Sequence, residues 1–317
     1  MIRVGIIGTS MISERLIEAF LQVDGIEPAA IYSRSLEKAK SFNLPKAYDN
    51  YEAMLADEDI DVIYVASPNS VHYGQAKQAL LADKHVLCEK PLVGFYKQGK
   101  ELFELAEQRG LYFMEAATTP HLPNVTAIRN LIPKLGVVKS VFANFAQYSS
   151  RYDQLLAGEV TNIFNPDFYG GALGDLNIYN IHFIVAVFGA PKKTHYFANR
   201  HENGVDTSGT LVMEYDTFTA VASANKDSHG KSWIQIQGEK GYLYTDEKAS
   251  ILKSFYSSLT DETLSYQPLS GYQYEVSNFV EMIANDNRAL YEEYKQHTLA
   301  VLKIFNDSHG YKEEKAD

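Results

Sequence analysis

Apolar positions in the first third of the chain come in short continuous runs, each followed by a segment with helical spacing. Residues 4–7, 62–66 and 85–88 are such runs, and 29–32 and 112–115 keep the same rhythm. Continuous runs, rather than alternation, mark strands covered on both faces. Between them Met11, Ile12, Leu16, Ala19, Phe20 and Val23 fall on one side of a helix over 11–23. Residues 36–42, 51–56, 71–82 and 97–109 read as further helices, the last stopped by Gly110. Repeated β-α units with buried strands predict a parallel sheet with helices on both faces, and right-handed crossovers make it doubly wound.

After about residue 119 the pattern changes. Residues 137–147, 194–199, 207–215, 218–224, 232–238 and 241–245 look like strands joined by short turns. Several alternate apolar and polar positions, as an antiparallel sheet with one solvated or partner-covered face should. Helical stretches interrupt them at 125–135, at 176–188, and in a final pair at 274–284 and 291–305. The expectation is α/β plus α+β: one domain over 1–119, and an α+β domain over 120–317 on a mixed, largely antiparallel open sheet. The tail over 312–317 is charged and expected to fray.

Composition narrows the function classes. The chain has 317 residues, 45% hydrophobic and 22% charged, the profile of a globular protein with room for two cores. Lys plus Arg is 29 and Asp plus Glu is 40, a net charge of −11. That balance argues against nucleic acid and against an anionic membrane as partner. Cys88 is the single cysteine, so no internal disulfide forms, which fits a reducing cytoplasm. No apolar run is read as reaching the roughly 20 residues that span a bilayer. The N-terminal apolar patch is cut by Gly8 and Ser10, and residue 1 is read as the start of the fold.

The first strand runs into Gly8-Thr-Ser-Met-Ile-Ser13 and then a helix. A dinucleotide fold places its phosphate loop there, because a helix N-terminus offers unpaired N–H groups and partial positive charge to a pyrophosphate. The usual pattern is G-x-G-x-x-G/A. Gly8 stands, while Ser10 and Ser13 occupy the other two glycine positions. Thr9, Ser10, Met11 and Ile12 complete the candidate loop. The other reading of this turn is an ordinary strand–turn–helix with Ser10 as N-cap. At the end of the second strand stand Ser33 and Arg34. An acid at this place suits the ribose 2′-hydroxyl of NAD, whereas an arginine suits the 2′-phosphate of NADP, so NADP is favoured with NAD possible.

Val65-Ala-Ser-Pro-Asn-Ser-Val-His72, followed by His85-Val-Leu-Cys-Glu-Lys-Pro91, resembles the Gfo/Idh/MocA oxidoreductases over essentially the whole chain. The closest motifs are those of the dihydrodiol dehydrogenase-like and glucose–fructose oxidoreductase branch. The resemblance implies a Rossmann domain for residues 1–119 and a substrate-binding and oligomerisation domain for 120–317. It implies that Ser67, Asn69 and His72 line the nicotinamide ribose, with Glu89 and Lys90 beside the cofactor. Lys90 becomes the catalytic lysine, with a cis peptide before Pro91 to aim it. Cys88 is read as a small buried hydrophobe.

Gly170-Gly-Ala-Leu-Gly-Asp-Leu-Asn-Ile-Tyr-Asn-Ile-His182 resembles the family's glycine-rich turn into D-x-x-x-H or D-x-x-x-Y. On one helix Asp175, Tyr179 and His182 share a stripe. Asp175 and Tyr179 are implied at the substrate, and His182 is read as structural. The family often has an arginine where this chain has Pro120. That argues against a sugar phosphate or acid held there and leaves Thr118 and His121 as substitute substrate contacts. No metal is expected, because no histidine–carboxylate set has zinc spacing.

These readings point to an NAD(P)-dependent oxidoreductase acting on a secondary alcohol, sugar, polyol or related carbonyl. Its partners are a small-molecule substrate and a second copy of itself, as a homodimer or higher homo-oligomer. The alternative is a non-catalytic dinucleotide-sensing regulator on the same fold.

Overall fold

A computed structural model describes residues 1–311; the tail expected to fray lies outside them. The chain divides into two compact units, Met1–Ala116 with Tyr272–Leu299, and Ala117–Gly271 with the chain from Ala300 onward. The first boundary falls within a few residues of the expected one. The return of Tyr272–Leu299 to the first unit was not expected from a single cut.

The first unit alternates strand and helix: β1 (Ile2–Ile7), α1 (Met11–Gln22), β2 (Ile26–Tyr32), α2 (Leu36–Lys40), β3 (Lys46–Tyr48), α3 (Tyr51–Leu55), β4 (Val62–Val65), α4 (His72–Leu81), β5 (His85–Glu89), α5 (Tyr96–Gln108) and β6 (Phe113–Ala116). The six strands are all parallel and run β3-β2-β1-β4-β5-β6. The order reverses between β1 and β4, and at such a switch point the loops leaving two neighbouring strands diverge and open a crevice. Val62–Val65 is buried at every position, as its unbroken apolar run required. β3 carries no such run, being Lys-Ala-Tyr with every residue half-buried, and the apolar pattern misses it. Helix α1 buries Ser13, Leu16, Ala19 and Phe20. Met11, placed on the apolar side by its spacing, is 73% exposed instead.

The second unit continues with α6 (Pro123–Leu131), β7 (Val138–Ala146), α7 (Tyr152–Leu156), a π-helical turn over Leu173–Asn177, α8 (Ile178–Phe188), β8 (Lys193–Arg200), β9 (Asp206–Glu214), β10 (Thr219–Asn225), β11 (Trp233–Gly238), β12 (Tyr242–Thr245), β13 (Phe255–Ser257) and β14 (Glu262–Leu264). Its eight strands run β14-β13-β12-β11-β7-β10-β9-β8, antiparallel except for the β7–β10 pair. One face is apolar and buried, with Val141, Ala143 and Phe145 on β7 beside Ala220, Ala222 and Ala224 on β10. The alanines let α8 lie close enough for direct anchoring. Asn177 Nδ2 donates to Ala222 O at 3.0 Å and Asn180 Nδ2 to Ser223 O at 3.1 Å. The opposite face carries the alternate residues, and Tyr242, Tyr244 and Phe197 are exposed there.

Pro166–Phe188 is long and apolar enough, by composition alone, to cross a membrane, contrary to the sequence expectation. In the fold 78% of that window is buried, because α8 is the core helix of this unit.

Two helices close the chain, α9 (Gly271–Ala284) and α10 (Arg288–His309). Tyr291 explains why this region returns to the first unit. Its ring stands edge-on to Tyr112 at 5.2 Å and lies 6.4 Å from Phe103. The Arg288 guanidinium lies over Tyr112 at 4.0 Å, and the Tyr112 hydroxyl donates to Asp286 at 2.6 Å. Aromatic pairs of this kind add to the burial of their area.

Candidate active site

Gly8 leaves β1 with φ +112°. A Cβ there would lie 2.4 Å from Ala66 O, so the turn passes against the end of β4 with no space for a side chain. Ser13, at the third glycine position, is buried and donates its hydroxyl to Gly8 O at 3.0 Å. The serine thereby ties helix to turn where the usual glycine would only allow close packing. Ser10 occupies the N-cap position of α1, but its exposed side chain makes no capping bond. Its hydroxyl and the first N–H groups of α1 are therefore available to an anion. Thr9 and Ile12 are half-buried beside it.

At the end of β2 the Ser33 hydroxyl accepts from Ser35 N at 3.3 Å. Arg34 is exposed, with no hydrogen-bond or ion-pair partner among the described residues. A cradle that excludes a Cβ, an uncapped helix start and an uncommitted guanidinium together fit a dinucleotide.

The loop after β4 and the loop after β5 are joined by one buried side chain. His72 starts α4, is 0% exposed, and places Nε2 2.9 Å from Ser67 O and Nδ1 3.2 Å from Pro91 O and 3.3 Å from Leu92 O. Burial pulls its pKa below the ordinary histidine value. The ring was expected to line the nicotinamide ribose; in the structure its two nitrogens face backbone carbonyls of the two loops, and its one N–H goes to one of them. Ser67 faces Gln75, to which its hydroxyl donates at 2.5 Å, and Asn69 opens the short 3-10 turn that leads into α4.

The second loop carries Lys90, half-buried, followed by a cis peptide to Pro91. Its backbone is held from below by acids. Lys90 N donates to Glu89 Oε2 at 3.3 Å, and Glu89 Oε1 accepts from the Tyr64 hydroxyl at 2.6 Å. Leu92 N donates to Glu115 Oε1 at 3.0 Å. Glu89 was expected beside the cofactor, yet the contacts it makes are to Tyr64 and to the chain itself. Glu275, on α9, is buried with no hydrogen-bond partner for either carboxyl oxygen. Burial raises the pKa of all three acids: Glu89 upward, Glu115 to about 7, and Glu275 well above the carboxylate range with Glu89 and Glu115 adding to it. Cys88 lies beneath them, buried as expected.

In the second unit Gly171 has φ +109°, and a Cβ would stand 2.0 Å from Asp206 Oδ1. The glycine turn exists because the Asp206 carboxylate fills it, accepting from Leu173 N at 2.7 Å and from the Tyr196 hydroxyl at 2.5 Å. The π-helical turn follows and holds Asp175, so the even α-helical stripe drawn from sequence begins only at α8. Such π turns frequently mark functional sites. Asp175 is partly exposed and accepts from Lys226 Nζ, a partner that sequence does not indicate. Tyr179 is half-buried, its ring 6.0 Å from Phe145. His182 is fully buried in the core. Thr118 and His121 are buried, and the Thr118 hydroxyl donates to Ser250 O at 3.3 Å. Thr118 thus ties itself to a neighbouring loop.

Comparison with known proteins follows the same two parts. Residues 2–117 match the model of an oxidoreductase family with an NAD-binding Rossmann fold, and 126–244 match a Gfo/Idh/MocA C-terminal domain. The chain is 34% identical over 315 residues to an NADP-dependent scyllo-inositol 2-dehydrogenase of Bacillus subtilis, covering 97% of this chain and 96% of that one. The chain belongs to the Gfo/Idh/MocA oxidoreductase family. A bovine trans-1,2-dihydrobenzene-1,2-diol dehydrogenase is another relative, 34% identical over 221 residues, 66% of this chain and 62% of its own. Among solved structures, a 3-ketoreductase of Actinomadura kijaniata superposes with a TM-score of 0.83 at 23% identity, over 97% of this chain and 96% of that one. The full-length match to a dehydrogenase sets aside the regulator reading, and this family member is a nicotinamide-dependent oxidoreductase.

The buried acids have a measurable consequence. Glu115 holds its proton up to about pH 7 when folded, whereas an ordinary carboxyl loses it near 4.5. Below about 4.5 it is protonated in both states and costs nothing. Between about 4.5 and 7 the unfolded chain releases the proton first, so stability falls as pH rises, by up to about 1.4 kcal/mol per pH unit. Glu115→Gln keeps an acceptor for Leu92 N and removes the titration. Thermal unfolding at pH 5 and pH 8 should show the variant gaining on the parent at pH 8; an equal difference at both values contradicts the assignment.

Proposed function

We propose that this protein is an NADP-preferring dehydrogenase of polyhydroxylated secondary alcohols, such as cyclitols, diols or sugars, and of the matching ketones. We place it in the cytoplasm as a homodimer. Arg34 carries the cofactor preference. It stands exposed and unpartnered at the end of β2, where a guanidinium can fork onto a 2′-phosphate that NAD lacks. The NADP requirement named for the Bacillus relative supports the same choice. The substrates named for the two relatives, an inositol and a diol, support a polyhydroxylated ring or chain. The homodimer rests on the outward sheet face, where Phe142 and Trp233 lie 6.1 Å apart in line with exposed Tyr242 and Tyr244. The cytoplasmic placement rests on the single, buried cysteine.

When bound, the nicotinamide supplies the hydride acceptor or donor. The chain supplies geometry and the proton path. In ketone reduction the Lys90 ammonium polarises the carbonyl oxygen and gives it a proton; in alcohol oxidation the neutral amine takes the hydroxyl proton and becomes the ammonium. In the second unit the Tyr179 hydroxyl is a second candidate proton donor or acceptor for the substrate, and Asp175 accepts a hydrogen bond from a substrate hydroxyl. His121 borders the substrate. Gly8, Ser10 and the start of α1 hold the pyrophosphate.

The test is NADPH formation from a panel of cyclitols, diols and sugars by the full-length protein. Lys90→Met should lower turnover by about 10²–10⁴ while NADPH binding stays within a few-fold. Turnover that survives Lys90→Met contradicts the assignment. Arg34→Ala should weaken NADPH binding by about one to two decades and leave NADH binding unchanged. An unaltered NADPH-to-NADH affinity ratio removes the cofactor preference. Light scattering at micromolar concentration should report a dimer or larger; a monomer removes the oligomer.

A further inference from the structure

The second unit contains a buried cation that none of these roles uses. Lys226 directly follows β10, and its side chain is 1% exposed. Its ammonium donates to Asp175 Oδ2 and lies 4.9 Å from the centroid of the Phe164 ring. Among the described residues that carboxylate is its one hydrogen-bond acceptor. Its backbone is fixed on both sides, N donating to Thr207 O at 2.9 Å and O accepting from Ser149 N at 2.9 Å.

The pair is asymmetric. The cation is sealed, whereas the Asp175 side chain is 37% exposed. A buried ammonium is costly unless it keeps its counterion, so the carboxylate cannot swing away without stranding the charge. The turn that carries Asp175 is pinned on both sides as well, by Asp206 at Leu173 N and by Asn177 on Ala222 O. A staple for the turn alone is already present in those two contacts. Neither of them touches the Asp175 carboxylate, which Lys226 contacts directly.

We propose that Lys226 is a positioning residue for substrate recognition: its sealed ammonium aims the Asp175 carboxylate at a hydroxyl of a polyhydroxylated substrate. This rests on the reading of Asp175 as a substrate contact. Lys226 touches no reacting atom. Its effect falls on binding of the alcohol, not on binding of the cofactor, whose phosphate turn and Arg34 belong to the other unit.

The experiment compares Asp175→Asn, Lys226→Met, Lys226→Arg and the double variant Asp175→Asn/Lys226→Met, each full-length, with scyllo-inositol and NADP as probes. Lys226→Met should lower kcat/KM for the polyol by about 10–100-fold, mostly through KM, the usual size for loss of a group that orients a ligand-binding side chain. The KM for NADP should stay within about two-fold of the parent. Lys226→Arg should recover activity to within about ten-fold of the parent, and the double variant should be no worse than Asp175→Asn alone, since the two act as a unit. A large loss in Asp175→Asn with none in Lys226→Met overturns the proposal and leaves Asp175 at the substrate. An unchanged kcat/KM in Asp175→Asn overturns the Asp175 reading and the proposal with it. Losses that multiply in the double variant, or a lower Tm with kcat/KM unchanged, reduce Lys226 to a structural role. If Lys226→Met does not fold, Lys226→Gln decides in its place: a polyol kcat/KM equal to the parent's overturns the proposal, and a fall of several-fold at constant NADP KM supports it.

Discussion

The His72 imidazole is the interaction on which the cofactor-binding half of the site depends. Its two nitrogens reach Ser67 O on the loop after β4 and Pro91 O and Leu92 O on the loop after β5. Carbonyls only accept, and a neutral ring has one N–H to give, so whichever nitrogen carries the proton, the ring is surrounded by acceptors on both sides. Burial lowers its pKa and so favours the neutral ring. The ring packs between the two loops that leave neighbouring parallel strands and donates its one N–H to one of them. Lys90 sits on the second of these loops, directly before the two residues that His72 touches. A lysine on a flexible four-carbon stem is placed by its backbone, and the buried ring packed against this loop helps to fix it.

The acids below that loop belong to the same construction. Glu89 and Glu115 both accept hydrogen bonds from main-chain N–H groups of the Lys90–Leu92 stretch. Burial raises both pKa values, so each is poised to keep its proton in an environment that disfavours negative charge. Glu275 approaches from α9 with no partner for either oxygen. The second unit reaches rigidity by another route. There a single buried carboxylate, Asp206, fills the glycine turn, and two buried asparagines fasten the following segment to carbonyls of β10.

Much of this was legible in the chain and part was not, for identifiable reasons. The unbroken run Val62–Val65 read as a strand covered on both faces, and Gly8 as the turn after the first strand, both as found. The cis peptide between Lys90 and Pro91 was legible through its motif. β3 was not, because three half-buried residues carry no periodic signal. Met11 was misplaced because the helix begins at that residue, and its buried face starts only at Ser13. The return of Tyr272–Leu299 depends on Tyr291 meeting Tyr112 and Phe103, contacts far apart in sequence that no local pattern encodes. His72 was singled out but given a ligand to hold, since sequence places it at a helix start without showing which carbonyls converge on it. Lys226 reads as an ordinary polar turn residue, Asn225-Lys226-Asp227, until the fold seals it.

The account stands on direct hydride transfer at the site that these contacts hold in place. The measurement that tests it most directly uses the two NADPH stereoisomers deuterated once at C4, each incubated in turn with the full-length protein and a polyhydroxy ketone. Mass spectrometry then locates the label in the alcohol. Transfer of one deuterium to the carbinol carbon from one stereoisomer, with hydrogen transferred from the other, is the predicted result. Alcohol formed with no deuterium from either stereoisomer, or no alcohol formed across the panel of polyhydroxy ketones, would contradict it.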